Sequence, residues 1–403
     1  MKNSLFPFSK TRGKHLKTTL QQIVISLVGL ALVGFLFVVN SETVGAQELT
    51  PKQKLGKLLF FDTSLSTPNG MSCATCHDPK AAFTDPRSFF PVSGGVIYGR
   101  FGNRNVPSAA YAAYSPPLYF DPTPRMGNMM QGMYRGGLFW DGRVDSLEDQ
   151  AKQPILNPVE MNNPNKRSVI TEIRQREYAD LFKKVFGPDS LSLNNVDAAY
   201  NNVVQAIAEY ERSSEVSPFS SKYDQYLANP TQNPLTDSET QGLALFTGKA
   251  KCFNCHFADT DNSAGKPLFT SFGYQNIGVP KNPDNPFYSL LEKFNPDGEN
   301  FIDLGLGGIL NDQKHYGQVK IPSLRNVAVT APYMHNGVFK ALREALDFDN
   351  TRDLGSYPPP EVDMNVHRHM PPMDGFFGRL GLTDQEIGDI IAFLMTLTDG
   401  YVK

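Results

Sequence analysis

Two short motifs use all four cysteines of the 403-residue chain. The first motif is Cys73-Ala74-Thr75-Cys76-His77, and the second is Cys252-Phe253-Asn254-Cys255-His256. In each motif two cysteines stand three positions apart, and a histidine follows the second cysteine directly. Any function proposed for this chain must therefore account for two Cys-Cys-His sets that have the same spacing.

Covalent attachment of haem uses every residue of these motifs, because two thiols add to the vinyl groups and the histidine binds the iron. A scaffold disulfide does not need the adjacent histidine, and a chain of this length does not depend on disulfides. A structural zinc site takes four clustered ligands, and a redox dithiol needs no histidine. The sequence therefore predicts two haem c groups, attached at Cys73, Cys76, Cys252 and Cys255 and ligated by His77 and His256.

The first 46 residues differ from the rest of the chain. Five basic residues precede a nearly uninterrupted apolar run over positions 23–39, and Val44-Gly45-Ala46 offers small residues for signal peptidase. This pattern predicts a signal peptide, or an uncleaved membrane anchor because the apolar run approaches the length of a spanning helix. In both cases we expect the functional part of the protein in the periplasm.

The remaining chain is acidic, with 33 basic and 40 acidic residues. A net negative charge argues against nucleic acid as a partner. The hydrophobic fraction of 40% and the charged fraction of 20% are those of a globular protein. Composition therefore gives no sign of disorder or of a protein with many membrane spans.

A helical pattern precedes each haem motif, at LGKLLFFD (55–62) and at QGLALFTGKAKC (241–252). We expect one module, made of a helix, a short loop and Cys-x-x-Cys-His, to occur twice in a mainly α fold. The predicted units are two cytochrome-c-like helical domains with long ordered loops. Their predicted bounds are 47–215 and 216–403, with the linker at 213–224.

Local signals predict the start of the first of these helices and two further helices. Thr50 and Pro51 are suited to the cap and first position of a helix. Apolar residues at positions 199, 203, 207 and 210 predict a helix over 196–212. Thr383 and Glu386 have the spacing of a capping box that opens a last helix. We expect residues 351–380, rich in proline, methionine and histidine, to form an ordered loop.

At FWDGRVDSLEDQAKQPILNPVEM (139–161) the chain resembles the bacterial di-haem cytochrome c peroxidases and their MauG-type relatives. The resemblance covers essentially the whole exported part, including RNVPS (104–108) and LRNVAVTAPYMHNG (324–337). It implies an enzyme that reduces hydrogen peroxide to water. It also implies that a small cytochrome c or cupredoxin delivers electrons to the second haem, from which they pass to the first.

The resemblance also implies residue roles. His77 would ligate the peroxide-reactive haem, and His256 would ligate the electron-transfer haem. In the catalytic site, Trp140 would lie between the two haems. The three residues near the open face of the first haem would be Gln150, Pro154 and Glu160. The residues that hold a calcium ion between the domains would be Asn105, Thr330 and Pro332.

The chemistry of peroxide reduction suits these side chains. Cleavage of the O–O bond needs a base that takes a peroxide proton and returns it to the leaving oxygen. A carboxyl group in a nearly closed pocket has a raised pKa and can do this, which favours Glu160. Gln150 would orient peroxide, and Trp140, the only tryptophan of the chain, has an easily oxidised indole. Without the resemblance, these side chains would be assigned to core, surface or loop.

One departure from the classical peroxidases concerns the first haem. Those enzymes carry a loop histidine that caps the reactive haem, whereas this chain has no histidine between His77 and His256. We therefore predict an iron that is open or water-bound when both haems are ferric. Such a site resembles MauG and needs no reductive activation.

A second departure concerns the sixth ligand of the second haem. Fourteen residues after His335 the peroxidases have a methionine and the MauG-type enzymes a tyrosine, whereas this chain has Asp349. The candidate ligands of the following loop are Met364, His367, His369, Met370 and Met373. We predict Met364 or Met370, either of which would raise the haem potential, whereas a histidine would lower it.

Two other functions remain open at this point. A MauG-type oxidase would use peroxide to remove electrons from residues of a protein partner, and the absent loop histidine favours it. A pure electron carrier with two saturated haems has no use for the distal pattern of Gln150, Pro154 and Glu160. The sequence is compatible with a monomer or a homodimer.

Overall fold

The computed structural model describes residues 48–87, 90–123, 132–368 and 373–402. The predicted signal peptide or anchor lies outside these residues. In the described part of the chain, no helix combines the length and the apolar character needed to cross a membrane. Residues 48–403 group into one compact unit.

The fold is mainly helical, as the sequence predicted. In chain order, the α-helices of the described residues are α1 Pro51–Phe61, α2 Cys73–Cys76, α3 Leu147–Leu156, α4 Lys166–Ile173, α5 Ala179–Phe186, α6 Val196–Glu211, α7 Lys222–Ala228, α8 Asp237–Thr247, α9 Gly305–Leu310, α10 Leu342–Thr351 and α11 Asp384–Met395. Two small antiparallel sheets pair β1 Tyr119–Asp121 with β2 Met133–Arg135, and β3 Tyr274–Gln275 with β4 Val319–Lys320. Short 3₁₀ turns and long loops connect these elements.

The predicted helix starts are confirmed. Thr50 caps α1, since its hydroxyl accepts the N–H of Gln53 while its own N–H donates to the Gln53 side chain. Thr383 and Glu386 form the same reciprocal pair at the start of α11. These bonds satisfy N–H groups that a helix terminus leaves without partners. The helix predicted over 196–212 is α6, which ends at Glu211.

Each haem motif follows one helix of a crossed pair, and the two pairs are built alike. Helix α1 packs against α6, and α8 packs against α11. A Cβ atom on Gly56 of α1 would overlap the carbonyl oxygen of Ala206. A Cβ atom on Gly242 of α8 would overlap the carbonyl oxygen of Asp389. Glycine therefore lets both pairs approach closely, and the internal repeat of the sequence has a structural counterpart.

Two main hydrophobic cores lie on these helix pairs. One packs α1, α4 and α6 around buried side chains such as Leu55, Ile170 and Tyr200. The other packs α8 and α11 around Phe246 and Phe393. The predicted linker at 213–224 is folded into the same compact unit, with Val216 and Ser221 buried, and its last three residues belong to α7.

Replacing Gly242 with alanine should lower the free energy of unfolding by about 1–3 kcal/mol, because the added methyl group meets backbone rather than a movable side chain. Gly388 of α11 offers a matched control, since a Cβ atom there meets no atom within 4 Å. Gly388→Ala should raise the free energy of unfolding by about 0.5–1 kcal/mol through helix propensity. Urea unfolding of the holo-protein measures both, and equal effects would contradict a tight crossing of α8 and α11.

Candidate active site

The first haem motif presents a histidine that suits a metal ligand. Helix α2 is a single turn, and His77 follows it directly. The Nδ1 atom of His77 lies 3.0 Å from the carbonyl oxygen of Phe83, so Nδ1 carries the proton and Nε2 keeps its lone pair. Burial lowers the pKa of His77 and so favours the neutral ring. These features fit an axial imidazole of a c-type haem.

The second haem motif repeats this arrangement. The residues Cys252–Asn254 form one 3₁₀ turn, and the Nδ1 atom of His256 lies 3.0 Å from the carbonyl oxygen of Phe269. Burial lowers the pKa of His256 to about 4. The acceptor carbonyl belongs in both motifs to a phenylalanine with a left-handed backbone, at φ 58° for Phe83 and 52° for Phe269. Both motifs therefore fit the same group.

A cavity of about 140 Å³ opens beside the first motif. Its wall includes the motif residues Cys73, Cys76 and His77. The same wall includes the four residues predicted to be catalytic, which are Trp140, Gln150, Pro154 and Glu160. The structure thus brings together residues from four separate parts of the chain around one space. The catalytic roles of these residues stay predictions.

Helix α3 supplies two of these wall residues. Ser146 caps the helix by accepting the N–H of Asp149. Gln150 and Pro154 are four positions apart, and residues at this spacing share one face of a helix. Pro154 lacks an N–H and cannot bond the carbonyl oxygen of Gln150. The face toward the cavity therefore carries one polar amide and one apolar ring.

Glu160 lies in the turn that follows α3. Its backbone carbonyl accepts the N–H of Val96 at 2.8 Å, and Asn157 Nδ2 donates to its Oε1 at 3.0 Å. Burial raises the pKa of Glu160, against the opposing effects of Arg143 and of the Asn157 hydrogen bond. The carboxyl group is thus fixed in place and holds a proton more readily than an exposed glutamate. Both properties suit a group that exchanges protons with a substrate.

Trp140 lines this cavity and also a second one of about 200 Å³. Its indole Nε1 donates to the carbonyl oxygen of Asn105 at 2.9 Å. Its own carbonyl accepts the N–H of Lys320 in β4 at 2.9 Å. His77 and Gln150 line both cavities as well. Trp140 therefore lies between the cavity beside the first haem motif and the segment that contains β4.

The three residues predicted to hold calcium all line the second cavity: Asn105, Thr330 and Pro332. Asn105 is buried, and its Nδ2 donates to the carbonyl oxygens of Pro332 at 2.6 Å and of Met334 at 3.3 Å. A half-turn of the Asn105 amide would bring three oxygen atoms together, as a calcium ion requires. In the described part of the chain, no three His, Cys, Asp or Glu side chains cluster to hold a metal. Any ion here would rest on amide and carbonyl oxygens.

The candidates for the sixth ligand of the second haem differ in their surroundings. Met364 is 50% exposed, and Met370 lies outside the described residues. Asp349 of α10 is half-buried, and its buried Oδ1 atom has no hydrogen-bond partner within the described residues. Burial raises the pKa of the thiols of Cys252 and Cys255, and the charge of Asp349 adds to this rise. Asp349 is therefore close enough to the second motif for its charge to act on both cysteines. The choice of Met364 or Met370 as the sixth ligand stays a prediction.

Sequence reasoning missed two titratable side chains in the cavity walls, Glu211, which is buried, and Lys320, which is half-buried. Glu211 lines both cavities, and burial raises its pKa to about 8. Lys320 lines the second cavity, and burial lowers its pKa to about 7. A signal for Glu211 was present, because it continues the apolar stripe of α6 four positions after Ile207. A charged residue in such a stripe marks a buried polar site.

Comparison with known proteins finds di-haem peroxidases and MauG proteins among the relatives of this chain. A family model described as di-haem cytochrome c peroxidase matches residues 50–232. The methylamine utilization protein MauG of Paracoccus denitrificans is 38% identical over 86% of this chain and 88% of its own. Cytochrome-c peroxidase IdrP1 of Pseudomonas sp. strain SCT is 32% identical over 74% of this chain and 71% of its own.

A solved structure is similar over most of its length. The diheme peroxidase BthA from Burkholderia thailandensis has a TM-score of 0.72 and 33% sequence identity to this chain. The match covers 88% of this chain and 87% of that one.

Proposed function

Because this chain belongs to the family of di-haem cytochrome c peroxidases and MauG, we propose that it reduces hydrogen peroxide to water with electrons from a small redox protein. It is an oxidoreductase with two haem c groups. The observation that carries the proposal is the cavity beside Cys73, Cys76 and His77. Its wall combines an acid, an amide and an indole, which a simple electron carrier does not need.

Two haems, held by Cys73, Cys76 and His77 and by Cys252, Cys255 and His256, would supply the one-electron redox chemistry. The chain's own residues would do the rest. The Glu160 carboxylate would take a proton from one oxygen of peroxide and return it to the oxygen that leaves as water. The Gln150 amide orients peroxide by hydrogen bonds, and the Pro154 ring keeps that part of the wall apolar.

The two halves of the chain would divide the work as two cytochrome-c-like domains, with bounds near 47–215 and 216–403. The repeated helix crossings and the separate hydrophobic cores support this division. A reduced cytochrome c or cupredoxin would deliver electrons at the second haem. Trp140 lines the cavity beside the first haem motif and its carbonyl accepts a hydrogen bond from β4, which supports a role in relaying these electrons.

A MauG-type oxidation of a protein partner is the second candidate. It is favoured by the absence of any histidine between His77 and His256, because no side chain of that type can cap the first haem there. The relative named MauG is also 38% identical to this chain. In this case electrons would leave residues of the partner and pass inward through Trp140.

Two further parts of the proposal concern calcium and location. The oxygen-rich arrangement of Asn105, Pro332 and Met334 supports a calcium ion beside Trp140, since Asn105 accepts the indole N–H. The basic and apolar pattern of residues 1–46 supports export to the periplasm. Calcium analysis of the purified holo-protein, before and after dialysis against a chelator, tests the first part. Fractionation of the producing cells tests the second.

An electron paramagnetic resonance spectrum of the fully ferric holo-protein tests the open first haem. We expect one high-spin and one low-spin signal, and one equivalent of peroxide should consume the high-spin signal. Rapid turnover with a reduced cytochrome c would then favour the peroxidase over the MauG-type oxidase. Two low-spin signals that do not respond to peroxide would overturn an open site and favour an electron carrier.

A further inference from the structure

We propose that Glu211 is a second carboxylic acid of the active site, which supplies the protons that peroxide reduction consumes. This inference rests on the proposed peroxidase function and deepens it. Glu160 acts on the proton that peroxide itself brings. Glu211 would take up protons in the cavity of about 200 Å³ and release them into the cavity of about 140 Å³ beside the first haem motif.

The balance of the reaction requires such a supply. One molecule of hydrogen peroxide takes up two electrons and two protons and leaves as two molecules of water. A base that only moves a proton between the two peroxide oxygens supplies neither of the two protons that the reaction consumes. Both protons must therefore enter a cavity that is walled by protein, and a titratable side chain in the wall is the usual means.

The position of Glu211 suits this task. It is the last residue of α6, is only 5% exposed and lines both cavities. Within the described residues its carboxyl group makes no hydrogen bond or ion pair with another side chain. The group is therefore able to bond water or substrate in either cavity. Glu160, by contrast, lines only the smaller of these two cavities.

The repeat within the molecule shows that packing alone does not require a carboxyl group here. Tyr210 of α6 and Phe393 of α11 occupy the same place, because each meets the glycine at its helix crossing. The residue after Phe393 is Leu394, which is 3% exposed and belongs to the second core. Glu211 at the end of α6 therefore occupies the position that corresponds to Leu394 in α11. Burying a carboxyl group is costly, so its presence beside the cavity points to a chemical use.

The charged side chains around Glu211 have opposing effects on its pKa. On its own helix Arg212 favours the ionised form, while Glu148 of α3 disfavours it and pairs with Arg212 at 2.8 Å. The other charged or titratable groups of the two cavity walls are Cys73, Cys76, His77, Arg104, Tyr111, Arg143, Glu160, Lys320, Arg325 and Tyr333, and attachment of haem would convert the two thiols to thioethers that do not titrate. Arg104 and Arg325 are each paired with a carboxylate, at 2.6 Å and 2.8 Å.

Burial outweighs these charges and raises the pKa of Glu211 to about 8. A carboxyl group with a raised pKa is protonated below that value and loses its proton as the pH rises through it. At neutral pH Glu211 therefore carries a proton that it can give up and recover. The supply should fail above about pH 8.

The test compares Glu211→Gln, Glu211→Asp and Glu209→Gln in haem-loaded protein. Glu209 lies on the same helix and pairs with Arg212, but it lines neither cavity. We expect Glu211→Gln to lower kcat roughly tenfold or more at pH 7, with KM for peroxide unchanged. It should also remove the fall in kcat that the wild type shows above about pH 8. Glu211→Asp should retain most of the activity, and Glu209→Gln should match the wild type.

A second readout does not depend on turnover. Because an ionised carboxylate beside the first haem stabilises the ferric form, the reduction potential of that haem should fall between about pH 7 and 9. This fall should be absent from Glu211→Gln and present in Glu209→Gln. A wild-type pH profile of both kcat and potential in Glu211→Gln would overturn the proposal.

Other outcomes are also decisive. If Glu211→Gln does not take up both haems, Glu211→Leu replaces it, since Leu394 shows that leucine fits the equivalent position. A Glu211→Leu protein with wild-type kcat would overturn the proposal. Haem loss in both variants, but not in Glu211→Asp, would show a structural role and would also overturn it. Failure of the proposed function itself would appear separately, as a wild-type protein that does not react with peroxide.

Discussion

Replacing Glu160 with glutamine should lower kcat for peroxide reduction by about 10²- to 10⁴-fold, while both haems stay attached. Glutamine keeps the shape of the side chain and can bond Asn157, but it cannot take up the peroxide proton. The reaction of the ferric protein with a single equivalent of peroxide should slow by the same factor. Stopped-flow spectroscopy of that single turnover measures the effect directly.

Glu177→Gln provides the control for this prediction. Glu177 is an exposed glutamate that lies in neither cavity wall, so its replacement should leave the single turnover unchanged. Glu211→Gln should differ from both, because it limits repeated turnover rather than the first reaction with peroxide. A Glu160→Gln protein that reacts with peroxide at the wild-type rate would exclude Glu160 as the acid–base group.

Replacing both Cys252 and Cys255 with serine should abolish turnover with a reduced cytochrome c but spare the reaction of the first haem with peroxide. Serine cannot form the thioether bonds, so the protein should lose the mass of one haem. Electrons from the donor would then lack their entry point. Mass spectrometry and paired single-turnover and steady-state assays measure the two consequences.

The matched change at Cys73 and Cys76 should give the opposite pattern. The second haem should remain reducible by the donor protein, and the high-spin signal and its reaction with peroxide should be lost. If either double variant loses both haems, or if the two variants behave alike, the assignment of separate roles to the two motifs is wrong.

Much of the local structure was accessible from sequence. The haem motifs, the capping residues Thr50 and Thr383, and the apolar stripe of α6 depend on spacings of three or four residues. Such spacings are set by one turn of helix and need no knowledge of distant contacts. The mainly helical fold followed from them.

The prediction of the catalytic residues has a different basis. Gln150, Pro154 and Glu160 have ordinary surroundings in the sequence, and only their resemblance to a family singled them out. The structure adds that they share a cavity wall with His77. The carbonyl groups of Phe83 and Phe269, which orient the two histidines, carried no sequence signal because the spacing to the histidine differs between the motifs.

By itself, therefore, the sequence predicted where haem attaches and determined where the main helices begin and that one helix-and-motif pattern occurs twice. Only the tertiary structure decided which distant side chains meet. The contrast between Glu211 and Leu394 is the clearest case, because both continue an apolar stripe but one borders a cavity and the other a hydrophobic core. Burial depends on packing between helices far apart in the chain, and burial shifts the pKa of a carboxyl group. The acid–base properties of this site are therefore a product of the fold.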